Sequence, residues 1–246
     1  MIQNINDDGN FFSANEQMSR SKRGGEPAEE QQILKALIPE LTNKSVLDLG
    51  CGDGMYCRYA REQQASSVIG VDTSEKMLQK ARKKTDDPFI SYSNMAIEDI
   101  HFSASQFDVV ISSLTFHYTK SFQTISNKIY DYLKPGGTFI FSVEHPIFTA
   151  RNEQDWYFDD QGNRLYWPTD SNRSKGVYAN TKNVVKYHRT ILTYINALIV
   201  AGFSIKTVKE PLPSDGILKS ISNMNERSGK PRFLLISAEK KNGSFY

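Results

Sequence analysis

Cysteine is almost missing from this 246-residue chain, which has two, Cys51 and Cys57. That excludes a disulfide framework, and the spacing fits no metal site. Reduced thiols in a cytoplasmic protein are the expectation. An excess of either charge is missing too. Thirty basic and 28 acidic residues leave a net charge of +2, too little to draw nucleic acid by bulk electrostatics. The cluster Arg20, Lys22, Arg23 reads as a solvated tail. No apolar run approaches the ~20 residues of a membrane span. The polar N-terminus lacks the apolar core of a signal peptide. Internal repeats and low-complexity tracts are absent as well. What remains is an ordinary globular balance, 39% hydrophobic and 24% charged, with length for one large α/β domain carrying an insertion.

The chain is organised around Ser45–Gly54, S-V-L-D-L-G-C-G-D-G. Val46, Leu47 and Leu49 suit a buried strand of a parallel sheet. Gly50, Gly52 and Gly54 follow, and glycines let a ligand lie against the main chain. Met55–Gln64 reads as a helix. Strand, glycine turn and helix make a nucleotide-type site at a helix N-terminus. The next apolar run, Val68–Val71, ends in Asp72, about 20 residues past the turn. At that spacing a carboxylate reaches a ribose diol. A dinucleotide fingerprint needs a small residue where Met55 stands. Asp48, inside the strand end, is awkward beside a pyrophosphate and suits a ligand with ammonium and sulfonium centres.

V-L-D-L-G-C-G-D-G, G-V-D-T-S-E-K-M-L from Gly70, F-D-V-V-I-S-S-L from Phe107 and L-K-P-G-G-T-F-I-F from Leu133 stand in one order. Together they resemble the class I S-adenosylmethionine-dependent methyltransferases over about Pro39–Glu144. The resemblance implies a doubly wound, mostly parallel seven-stranded α/β sheet, a Rossmann-like fold, and S-adenosyl-L-methionine as cofactor. It does not imply the methyl acceptor. In its terms Asp48 faces the methionyl ammonium and Asp72 the ribose, with Gly50, Cys51, Gly52, Gly54 and Thr73 around them. Met77 packs on the adenine. Relatives often place an Asp at the adenine edge where Ala96 stands here, which leaves a backbone contact from Ile97; Glu98 or Asp99 either substitutes for that Asp or caps the local turn. Ser112 or Ser113 lies beneath the sulfonium.

Other elements follow by periodicity. Helices are expected over Ala28–Ile38, Thr73 or Ser74 to about Lys84, Phe122–Leu133, and a stretch holding Ile191, Tyr194, Ile195 and Leu198 that ends at Gly202. Strands are expected over Phe89–Tyr92, Phe107–Ser112, Thr138–Val143, Phe203–Val208 and Phe233–Ala238, the last two an antiparallel edge pair in the resembled fold. Residues 1–27 are a flexible tail or a lid, and 28–246 the methyltransferase domain. Within it, His145–Asn183 is a loop-like aromatic insertion after the fifth strand, a cap or a small core.

Strand order should reverse between the first and fourth strands, where ligands bind at carboxyl ends. His117 and His145 fall on that rim as candidate bases for a hydroxyl acceptor; each also has a plain structural reading. Trp156 in the insertion, with Tyr187, His188 and Arg189 before the late helix, are the candidates for the acceptor. The expected protein is a monomer or homodimer, using a small-molecule acceptor with a hydroxyl, carboxylate or amine, no metal, and no nucleic-acid or membrane partner. A cofactor-binding protein without catalysis and a nicotinamide-dependent oxidoreductase are the alternatives.

Overall fold

The computed structural model describes residues 29–149, 157–158, 161, 164–166, 177–179, 185–212 and 231–242. Residues 1–27, Trp156 and most of the insertion lie outside them. The described chain opens with α1 (Glu29–Leu37) and then alternates: β1 (Ser45–Leu49), α2 (Met55–Glu62), β2 (Ser67–Asp72), α3 (Glu75–Lys84), β3 (Ile90–Asn94), β4 (Phe107–Ser113), α4 (Phe122–Tyr132), β5 (Leu133–Glu144). A one-turn helix, α5 (Pro146–Thr149), and the strands β6 (Tyr157–Phe158), β7 (Arg164–Tyr166), β8 (Val177–Ala179) and β9 (Val185–Tyr187) follow. The chain ends in α6 (Ile191–Ala201), β10 (Phe203–Lys209) and β11 (Phe233–Lys240).

The sheet has seven strands in the order β10-β11-β5-β4-β1-β2-β3. β1 pairs in parallel with both β2 and β4, so the order does reverse at β1. β11 runs antiparallel to both of its neighbours, β10 and β5. A crevice therefore opens beyond the carboxyl ends of β1 and β4.

Two apolar layers fix this sheet. Leu34 of α1, Tyr56, Cys57 and Ala60 of α2 and Leu78 of α3 close over Val46, Val109, Ile111 and Ile140 on one face. On the other, α4 and α6 press Ile125, Ile129, Tyr194 and Leu198 onto Phe139, Phe141 and Val143. Phe116, Phe122 and Phe141 meet edge-on or tilted, with ring centroids 5.2–5.5 Å apart, an arrangement that adds to plain area burial. Three helices start on side-chain caps. Ser74 accepts from the Met77 amide, Ser121 from Thr124 and Thr190 from Thr193. Gly202 ends α6 with φ 102°, a conformation that favours glycine.

Two expectations shift. β5 starts at Leu133 rather than Thr138, because Leu133 already pairs with Phe107; the Pro135–Gly137 turn is absorbed as a register shift before Thr138 meets Val109. The insertion is not only loop: among its described residues β6 pairs antiparallel with β7, and β8 pairs antiparallel with β9, just beyond the insertion.

Candidate functional site

The glycine turn is built on backbone that side chains resist. Gly50, Gly52 and Gly54 have φ of 75°, 55° and 76°. A Cβ on Gly50 would stand 2.3 Å from Thr115 Oγ1, and one on Gly54 the same distance from the Tyr92 hydroxyl oxygen. Gly50 N and Cys51 N both donate to the Val71 carbonyl, at 2.8 and 3.0 Å, which ties the turn to the end of β2. Asp72 completes the tie: Oδ2 accepts from Gly52 N at 2.8 Å and Oδ1 from Ser74 N at 2.8 Å. Thr73 follows, half-buried, its carbonyl accepting from Asn94 Nδ2 at 3.0 Å. Met77 lies on the same side, its methyl 3.3 Å from where a Gly52 Cβ would be.

Asp48 sits beneath the turn, 1% exposed. Oδ2 accepts from the Cys57 thiol at 3.4 Å, and buried Oδ1 has no hydrogen-bond partner among the described residues. Burial pushes its carboxyl up to about 7, because a charge without a partner is disfavoured there. The residues fit the implied cofactor on these grounds: an orphaned buried acid for an ammonium, a side-chain-free turn for a main-chain contact, and a second acid for a ribose.

The structure places three further sequence candidates on this side. Ser112 is fully buried and donates to the Leu49 carbonyl at 2.8 Å, so it staples β4 to β1 instead of lining the crevice. The Ile97 side chain is in the core. Glu98 is exposed, and its carboxylate accepts from the Lys120 amide at 3.3 Å.

The β4–β5 side differs more from expectation. His117 is buried in the turn after β4, and burial pushes its pKa down to about 4; it is neutral at pH 7 and a weak base. Its Nδ1 accepts a long 3.5 Å bond from Glu144 N. His145 has both ring nitrogens engaged: Nδ1 accepts from Ile147 N at 3.2 Å, and Nε2 meets Glu210 Oε1 at 2.6 Å. Nε2 therefore carries the hydrogen. Burial holds the pKa down despite the Glu210 carboxylate. With no lone pair to spare, His145 is a strut and not a base.

Arg189 spends its guanidinium on the Phe116 and Thr119 carbonyls, clamping the loop after β4, and is not free for an acceptor. His188 is buried with Nδ1 2.9 Å from Thr149 Oγ1, and Tyr187 is half-buried in β9. Lys186 is taken by Glu144, at 2.7 and 2.8 Å to its two oxygens. Burial would raise the Glu144 pKa; the nearby positive charges, that ammonium among them, outweigh it and hold the pKa below the usual value.

Glu30 was not singled out by the sequence, and it reaches this rim from α1. It is 1% exposed. Its Oε1 accepts from Ser113 Oγ at 2.9 Å and from Ser142 Oγ. The available signal was its spacing, four residues before buried Leu34 on the apolar stripe. Ser142 Oγ in turn accepts from Leu114 N at 3.1 Å, and Leu114 has φ 52°, an uncommon value off glycine that clusters at functional sites. Among the described residues no group of three or more His, Cys, Asp or Glu is placed to hold a metal. A hollow of about 470 Å³ lined by Phe102, Lys128, Tyr132 and Lys240 lies at the amino ends of β4 and β5, away from these groups.

Residues 47–141 match the family model described as a methyltransferase domain. An uncharacterized protein of Haemophilus influenzae is 34% identical, over 96% of each chain. Among solved structures, one from Listeria monocytogenes, provisionally assigned as an S-adenosylmethionine-dependent methyltransferase, superposes with a TM-score of 0.81 at 46% identity. It covers 86% of this chain and 96% of that one. An S-adenosylmethionine-dependent methyltransferase of Mesorhizobium loti superposes at 0.76 and 39% identity, over 86% of this chain and 98% of that one.

Proposed function

Because this chain belongs to the class I S-adenosylmethionine-dependent methyltransferases, we propose that it methylates a small molecule approaching over the carboxyl ends of β4 and β5. The cofactor supplies an electrophilic methyl on sulfonium, and transfer is an in-line displacement. The protein supplies placement. Asp72 accepts from the ribose hydroxyls while it holds the Gly52 amide. Asp48 accepts from the methionyl ammonium, which gives its orphaned oxygen a partner. The glycine turn lets the ligand lie on main chain, and Met77 packs the adenine.

Placement of this kind contributes up to ~7–11 kcal/mol to a barrier. A general base adds ~10²–10⁴ in rate, best with a pKa near the working pH. His117 near 4 is poorly matched and His145 is fully bonded. The reading that follows is a reaction driven by alignment, with an acceptor that needs little or no deprotonation. The observation that carries it is the pair of buried acids at the turn, Asp48 with one oxygen unpartnered among the described residues and Asp72 binding the Gly52 and Ser74 amides.

Calorimetry with S-adenosylhomocysteine and with NAD tests the cofactor half; binding of NAD alone would sink it. Labelled-methyl turnover over amines, hydroxyls and carboxylates tests the acceptor half, and transfer only to a macromolecule would refute it.

A further inference from the structure

Asp48, Ser113 and Ser142 lie on one face of the sheet, at the carboxyl ends of three adjacent strands. Their parity is that of Val46, Ile111 and Ile140, which face α1 and α2. Asp48 pairs across from Ile111, and Ser113 from Ser142. Continuing that register sets Ser113 level with Gly50 and Ser142 one strand beyond. Glu30 bridges the two serines. Its carboxyl group therefore stands about one to two strand spacings, ~5–10 Å, from the turn, on the side away from Asp72. The ribose end of the ligand belongs at Asp72, so Glu30 is on the side from which an acceptor comes.

The Glu30 carboxyl is held but incompletely satisfied. Oε1 takes both serine hydroxyls; Oε2 is buried with no partner among the described residues. Leu114 N–H, Ser142 O–H and Glu30 Oε1 form a relay that locks the group against the left-handed residue at the tip of β4. An oxygen so placed asks for a donor. A carboxylate ligand there would meet two acids, Glu30 and Asp48. The cations that an anionic acceptor would want, Lys186 and Arg189, are bound to Glu144 and to backbone carbonyls.

We propose that Glu30, positioned by Ser113 and Ser142, forms the acceptor subsite and selects an amine, whose N–H it accepts while the nitrogen lone pair faces the methyl. This rests on the methyltransferase reading and adds the substrate class. In the transfer, the N–C bond forms as the S–C bond breaks, the sulfonium leaves as a neutral thioether, and the extra proton is then lost from nitrogen to solvent.

The test uses Glu30→Gln, which keeps an acceptor oxygen for the serines. Calorimetry with S-adenosylhomocysteine should give wild type and variant the same Kd within about twofold. A loss of about tenfold or more would mean that Glu30 serves the cofactor's own ammonium, and would overturn the proposal. Crystals of each with S-adenosylhomocysteine are then soaked in 2-phenylethylamine or in 3-phenylpropanoate, matched in length and differing in the end group. The amine nitrogen should lie about 3 Å from Glu30 Oε2 in wild type and leave in the variant. Bound acid, amine elsewhere, or neither bound would each overturn it. If wild type itself fails to bind S-adenosylhomocysteine, the parent reading falls with it; failure of the soaks alone leaves that reading standing.

Discussion

The two sides of the rim are built by different rules. On the β1–β2 side, everything from Asp48 to Met77 falls within thirty residues of sequence, and main-chain amides do most of the holding: Gly50 and Cys51 donate to the Val71 carbonyl and Gly52 to the Asp72 carboxylate. On the β4–β5 side, Glu30 meets Ser142 across 112 residues and His145 meets Glu210 across 65. Side chains hold that half. A main-chain site is tied to backbone shape and tolerates little change. A side-chain site can be re-specified by substitution while the sheet stays as it is.

The sharpest way to break this contrast is Gly50→Ala. Its φ of 75° and a Cβ 2.3 Å from Thr115 should cost about 3 kcal/mol in urea unfolding. Adding Thr115→Ala removes the two nearest atoms and should recover part of that loss. Full recovery would mean that backbone angle contributes nothing. Asp72→Ala comes next. It removes the acceptor for Gly52 and Ser74, and should weaken S-adenosylhomocysteine by ~1.5–3 kcal/mol in calorimetry; unchanged affinity would refute the ribose assignment.

Asp48 gives a pH test. Unfolded, it titrates near 3.8; folded, near 7. Between those values the ligand-free folded chain holds a proton that the unfolded chain has lost, so Asp48 makes stability fall as pH rises from about 4 to about 7. Asp48→Asn should remove that fall, gaining about 1–2 kcal/mol over wild type at pH 8 in urea melts; parallel pH profiles would count against it. Smallest is Glu210→Gln. It keeps an acceptor for His145 and should change stability by less than about 1 kcal/mol, with cofactor affinity intact. A tenfold loss in turnover with an intact fold would restore His145 to the chemistry.

The same contrast decides what was readable beforehand. Gly50–Gly54, Asp72 and the strand order follow from local patterns, since backbone angles and strand periodicity are written in adjacent residues. On the β4–β5 side burial, and not residue type, sets where each side chain is spent. Arg189 looked like an anion receptor and instead closes the loop at Phe116 and Thr119. Ser112 looked like a floor and is a staple. Glu30 was not singled out, and only packing of α1 over β4 and β5 brings it inside. The register shift that keeps β5 paired with β4 on either side of Pro135–Gly137 has no local signature.

β11 alone runs against the rest of the sheet. Its first residue therefore arrives beside the last residue of β5, Phe233 opposite Glu144, and β10 ends at the same height. The connection from Glu210 to Arg232 therefore leaves and rejoins the sheet beside Glu144, so its two ends meet the carboxyl end of β5 with no strand having to move.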